Sequence, residues 1–183
     1  KKTNHKTVIQ KINNSDVIIN CAGVNRSKSN SEFDDNFKIC QFITENLNSL
    51  KKQKLIHIST TKVFDKNLYG ITKKRAEKEL ISFKKKNISI RIIRCPNIYG
   101  KWSKPNYNSV VATFCNNIIR KKPINIFNGN KSIELVYIDD LCEILLKEIK
   151  SIKNRGNYIK IDNKFVTKTT PKIILDKIKM FQY

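Results

Sequence analysis

A phenol and an amine stand one helical turn apart in the stretch STTKVFDKNLYGITK, residues 59–73. Tyr69 and Lys73 are four positions apart, so on a helix their side chains share one face. Carbonyl chemistry can use that spacing. A nearby ammonium favours tyrosinate and lowers the phenol pKa from about 10, by roughly one to a few units, so Tyr69 could exchange a proton with a sugar or alcohol oxygen near neutral pH. Thr60 closes the apolar run before it, where the open end of a parallel sheet presents functional groups, and could stabilise charge developing on the same oxygen. By itself a Tyr-Lys pair arises on many helices by chance; Ser59-Thr60 at a strand end moves the reading toward function.

The elements around this stretch alternate. Val8, Ile9 and Ile12 have helical spacing and end a helix expected to start upstream of Lys1. Val17 to Asn20 reads as a buried strand, followed at once by Gly23, which marks close approach of backbone to something. Residues 32–50 carry a helical stripe that includes Phe33, Phe37, Cys40, Ile43, Leu47 and Leu50; Leu55 to Ser59 is the next strand, so the three form a βαβ crossover. A helix over 69–86, a strand over 89–94, a loop from Tyr99 to Tyr107 and a helix over 108–119 follow. Ile124 to Phe127 reads as a short strand and Ile133 to Ile138 as a longer one, with Asp139-Asp140 as an N-cap pair for a helix to about Lys150. Asn157 to Ile161 is a last strand, and Thr170-Pro171 opens a terminal helix through Met180. This alternation predicts an α/β doubly wound parallel sheet with helices on both faces.

A chain of 183 residues with 39% hydrophobic content suits one domain. No apolar run approaches the roughly 20 residues that span a bilayer, and nothing at Lys1 resembles a signal peptide, so a cytoplasmic protein is expected. The formal charge of +22 is spread among many Asn and Ile residues, and its clusters, Lys84 to Lys86 and Arg120 to Lys122, fall at expected helix ends. A solvated basic surface is the preferred reading, and nucleic-acid binding the weaker one. Cys21, Cys40, Cys95, Cys115 and Cys142 form no CxxC pair and read as reduced, mostly buried thiols; His5 and His57 are isolated, His57 as a core or half-buried residue. No metal is expected.

The motifs NCAG (20–23), Asn36, STTKVF (59–64), YGITK (69–73), RCPNIYG (94–100) and LVYIDDL (135–141) together resemble the extended short-chain dehydrogenase/reductases, the NAD-dependent epimerase/dehydratase family. CAGVNR (21–26) and the run from Asn97 to Ile118 are similar, more narrowly, to the reductase domains of capsular polysaccharide enzymes. That resemblance implies a Rossmann-like fold and NADPH-dependent reduction, NADH being possible, of the 4-keto group of a UDP-linked 2-acetamido-2,6-dideoxy-hexulose. It implies Thr60, Tyr69 and Lys73 as catalytic residues, with Ala22, Gly23, Tyr69 and Lys73 at the cofactor. Asn97 and the segment Tyr107-Asn108-Ser109 would contact the sugar nucleotide, the latter at a helix start that favours the diphosphate. Asn25 and Arg26 are further substrate candidates. A substrate-binding portion is expected near 97–135 and 155–183, and a homodimer is the expected assembly.

The sequence departs from the pattern in two places. Where many members carry an Arg for the nucleotide, Ile133 stands; and Gly23, Gly70, Gly100, Gly129 and Gly156 make no GxG. The expectation is therefore a sheet lacking its first βαβ segment, without the cupin domain that follows such reductases, and with weak hold on NADPH by this chain alone. A 4,6-dehydratase is disfavoured because Thr61-Lys62 replace the Asp-Glu that dehydratases carry after the strand-terminal Thr. A 4-epimerase of the family, or a non-catalytic piece with a basic binding surface, are the alternatives.

Overall fold

The computed structural model describes residues 4–27, 29–126, 128–151 and 156–181. The chain forms two compact units, Lys1–Arg94 with Ser151–Lys160, and Cys95–Lys150 with Ile161–Tyr183. In the first unit the order is α1 (His5–Asn14), β1 (Val17–Asn20), α2 (Asp35–Glu45), β2 (Gln53–Thr60), α3 (Leu68–Ser82) and β3 (Ile88–Cys95), with β6 (Tyr158–Ile159) returning later. The sheet runs β1-β2-β3-β6, with β1 parallel to β2 and β3 parallel to β6. This is the expected Rossmann-like α/β architecture.

Hydrophobic burial explains the layering. Ile12 of α1, Cys40 and Ile43 of α2, and Ala76 and Leu80 of α3 pack with Leu55, Ile90 and Ile92 of the strands in one cluster. Removing such apolar surface from water contributes about 25 cal/mol per Å². The register pairs Ile18 with Leu55 and Asn20 with His57, so the polar ends of β1 and β2 lie side by side.

Several element ends differ from the sequence reading. α1 begins at His5, inside the chain, because Asn4 caps it by accepting the Lys6 N–H at 3.0 Å. The stripe over 32–50 is a 3-10 turn at Asn30–Asp34 followed by α2, which stops at Glu45. Beyond it Asn46 donates to the Phe42 carbonyl and the Asn48 carboxamide accepts the Leu50 N–H, local bonds that compete with helix continuation and leave Leu50 92% exposed. α3 ends at Ser82, not residue 86, with Phe83 extended. β1 is not fully buried: Ile19 is exposed.

The second unit holds β4 (Asn97–Tyr99), α4 (Val110–Ile119), β5 (Ile133–Tyr137), α5 (Ile138–Lys150), β7 (Val166–Thr169) and α6 (Pro171–Met180). Its sheet, β4-β5-β7, is mixed: β4 is parallel to β5, and β7 antiparallel. Phe114, Leu135, Ile174 and Leu175 form its core. β4 falls partly in the expected loop and β7 was not expected. Ile124 to Ile126 form no strand, and Phe127 lies outside the described residues. α5 starts directly from β5 at Ile138, so Asp139 and Asp140 occupy its first turn, where they favour the helix dipole, rather than its N-cap. Thr170 does cap α6, with Pro171 as its first residue. The basic clusters 84–86 and 120–122 do follow helix ends. Of the cysteines only Cys40 and Cys95 are buried; Cys21 and Cys142 are exposed.

A buried carboxylate ties the first unit together. Glu77 of α3, 1% exposed, accepts from Ser59 Oγ (2.5 Å), from Arg94 Nε (3.1 Å) and Nη2 (2.6 Å), and from Tyr158 OH (3.1 Å). It therefore joins α3 to β2, β3 and β6. Removing one partner of a buried, hydrogen-bonded ion pair leaves the others unpaired, which costs about 3 kcal/mol. Glu77→Ala should lose about that much in urea unfolding; a loss within about 0.5 kcal/mol, as at an ordinary surface site, would show that the network carries little.

Candidate active site

Local geometry fixes Tyr69 and Lys73 before any tertiary contact does. The Asn67 carboxamide caps α3 by accepting the Gly70 N–H at 2.9 Å, so the helix begins at Leu68 and its first two turns carry both side chains. A 3-10 turn at Thr61–Phe64 packs under this start. A Cβ on Gly70 would lie 2.5 Å from the carbonyl oxygens of Lys62 and Asp65, so only glycine lets the turn and the helix meet there.

Thr60 is the last residue of β2, as the sequence implied. Its hydroxyl oxygen accepts the Lys62 N–H at 3.2 Å, and the hydroxyl acts on the Tyr69 phenol at the start of α3. Tyr69 is half-buried and meets Phe33 edge-on at 6.4 Å. Burial pushes the phenol above its ordinary pKa of 10, while the Thr60 hydrogen bond pulls the other way. This corrects the expectation that Lys73 holds the phenol low. The lysine, 5% exposed, turns its Nζ instead to the Ile58 carbonyl (3.3 Å) and His57 Nε2 (3.5 Å).

The turn after β1 completes this end of the sheet. Asn36 of α2, 2% exposed, accepts the Val24 N–H at 2.9 Å and donates to the Val24 carbonyl at 2.8 Å, a two-point clasp on the backbone. A Cβ built on Gly23 would lie 2.9 Å from Asn36 Oδ1 and 3.6 Å from Lys73 Nζ. Ala22 and Gly23 are exposed, so bare backbone lies open beside the Lys73 nitrogen. Asn25 and Arg26 are exposed on the bend beyond.

The other expected site residues belong to the second unit. Asn97 in β4 donates to the Glu134 carbonyl at 3.0 Å, a sheet contact. Ser109, not Asn108, caps α4, accepting the Ala112 N–H at 3.3 Å. Asn97, Tyr99, Asn108, Ser109, Ile133 and Leu135 line a cleft of about 190 Å³. Ile133 gives it an aliphatic wall where an arginine had been the family expectation. Tyr107 is exposed, with Lys104 Nζ 5.9 Å from its ring centre.

Sequence reasoning missed the roles of His57 and Asn20, and quoted Asn36 without one. Asn36 did leave a trace: it is an amide at the buried edge of an apolar helical stripe, where a polar residue needs a partner. Among the described residues no group of three His, Cys, Asp or Glu side chains could hold a metal, and no helix is long and apolar enough to cross a membrane.

A parallel sheet whose strand ends carry Thr60, a Tyr69–Lys73 helix and a clasped Ala22–Val24 turn defines a class, and the match to the family agrees with it. The chain belongs to the NAD dependent epimerase/dehydratase family, which it matches over residues 1–161. It is 39% identical over 138 residues to the UDP-2-acetamido-2,6-beta-L-arabino-hexul-4-ose reductase of Pseudomonas aeruginosa, covering 72% of this chain and 36% of that protein. Among solved structures it is similar to the capsular polysaccharide assembling protein CapF of Staphylococcus aureus (30% identity, TM-score 0.76), over 97% of this chain and 47% of CapF. The UDP-glucuronic acid 4-epimerase of Bacillus cereus, solved with NAD, shares the fold at 22% identity and a TM-score of 0.80, over 98% of this chain and 63% of the epimerase. The chain thus spans less than half of the reductase and of CapF.

Because the folded state raises the Tyr69 pKa, it holds the phenolic proton more tightly than the unfolded chain does, and the associated stability is lost as pH rises through the folded value. The difference in tyrosinate absorbance between wild type and Tyr69→Phe should therefore have its midpoint above the ordinary value of about 10. A midpoint below that would restore the lysine-lowered phenol.

Proposed function

We propose that this chain is the catalytic part of an NADPH-dependent reductase that acts on the 4-keto group of a UDP-linked 2-acetamido-2,6-dideoxy-hexulose, in capsular or surface polysaccharide synthesis. The single observation carrying the reading is the Thr60–Tyr69 pair at the end of β2, beside Lys73 and the Gly23 backbone. The Pseudomonas aeruginosa relative's substrate, a hexul-4-ose, supports the choice of sugar. We also propose that the full protein works in the cytoplasm as a homodimer.

Ala22, Gly23, Tyr69 and Lys73 would hold the cofactor, which when bound supplies a hydride to C4. As that carbonyl becomes an alkoxide, it needs a proton and a hydrogen-bond donor. Tyr69, held protonated by burial, gives its phenolic proton to O4, and Thr60 donates to the oxygen losing or gaining charge. Asn97, Tyr107, Asn108 and Ser109 would contact the nucleotide, the start of α4 offering its N–H groups to the diphosphate, and Asn25 and Arg26 would contact the sugar.

In the full-length protein, Tyr69→Phe should lower turnover by about 10²- to 10⁴-fold, the usual worth of a positioned acid, while leaving UDP-sugar affinity unchanged. Unchanged turnover would remove Tyr69 from the chemistry.

A further inference from the structure

His57 lies one residue before Ile58, whose carbonyl binds Lys73, and is 1% exposed. Three elements present a polar group to its ring. From β1, Asn20 Nδ2 lies 3.1 Å from Nδ1; from α2, Cys40 Sγ lies 4.0 Å from Nδ1; from α3, Lys73 Nζ lies 3.5 Å from Nε2. The orientation of the Asn20 amide is not free. Its Oδ1 accepts the Ala22 N–H at 3.0 Å, so its NH₂ must face the imidazole. His57 Nδ1 is then an acceptor, and the single proton of a neutral ring sits on Nε2, facing the lysine.

We propose that His57 is a positioning residue for Lys73: fixed by Asn20 as the Nε2–H tautomer, it offers the ammonium no acceptor and so turns the ammonium's protons away from the ring, toward the Ile58 carbonyl. Through Asn20 the same ring is coupled to the Ala22 N–H, so the open turn after β1 and the lysine beside it are set by one side chain. Burial, and secondarily the Lys73 charge, push the His57 pKa down to about 3, and burial pushes the Cys40 thiol up to about 11, so both groups stay neutral and the hydrogen-bond directions persist. The catalytic consequence rests on the reductase reading; the tautomer does not.

The test uses both levels. The chain has only two histidines, His5 exposed and His57 buried, so ring ¹⁵N spectra of the labelled protein resolve them. Between about pH 5 and pH 8, where an ordinary histidine titrates, His57 should show a protonated Nε2 and a bare Nδ1 that do not change. A protonated Nδ1, or titration in that window, would overturn the proposal. In the full-length protein, His57→Phe should lower kcat about tenfold with little change in sugar-nucleotide KM, since it leaves the Asn20 amide only its longer contact to Cys40 Sγ and frees Lys73; His57→Gln, which can again offer an N–H, should restore most of it. Equal kcat for His57→Phe and wild type would also overturn it. If the full-length wild type fails to reduce the keto-sugar at all, the reductase reading falls, and the ¹⁵N spectra still decide how His57 is held.

Discussion

The buried nitrogen of Lys73 is the constraint on which the first unit's site depends. An amine 5% exposed must find acceptors inside the protein, and it finds one in the carbonyl of Ile58 near the end of β2. That contact requires α3 to lie close over the strand ends, which in turn requires Gly70 to meet the 61–64 turn without a Cβ, and Asn67 to start the helix at Leu68. Tyr69, one turn earlier, is then delivered to Thr60. The arrangement of phenol, hydroxyl and amine follows from one packing decision.

The facing turn is organised by amides. Asn36 clasps Val24 from α2, and Asn20 holds Ala22 from β1, so the two backbone positions on either side of Gly23 are both bound by buried side chains. Side-chain amides suit this work because each offers both a donor and an acceptor: Asn36 uses both on the backbone of Val24, and Asn20 uses its oxygen on the Ala22 N–H and its NH₂ on His57. The result is a bare backbone surface held without a side chain of its own, next to a lysine nitrogen. Below it Glu77 joins α3 to three strands, which keeps the helix bearing Tyr69 and Lys73 from shifting along the sheet.

Much of this was legible in the sequence where the signal is local. The parallel strands announced themselves as short β-branched runs, and the sequence placed Thr60 at a strand end with Tyr69 and Lys73 on the helix that follows, as the structure has them. β4 and β7 were missed because three or four residues, with Asn97 in one and Lys168 in the other, carry no apolar alternation to detect. The ends of α2 and α3 were overrun because the apolar stripe continues past them, while Asn46, Asn48 and Ser82 form the local bonds that stop the helices. His57 was read as core because its partners, Asn20, Cys40 and Lys73, come together only through β1–β2 register and helix packing. The direction of the Tyr69 shift was misjudged for the same reason: spacing places a lysine on the same helix face but does not say where its nitrogen points.

The central claim, that this site reduces a keto-sugar with Tyr69 as the acid, is tested most directly by isotope transfer. The full-length protein would be incubated with the UDP-linked 2-acetamido-2,6-dideoxy-4-keto-hexose and nicotinamide cofactor deuterated at C4, and the sugar product examined by mass spectrometry and NMR. The account predicts one deuterium at sugar C4 in wild type and its near absence with Tyr69→Phe. A product without deuterium at C4, or one equally labelled by the Tyr69→Phe variant, would contradict it.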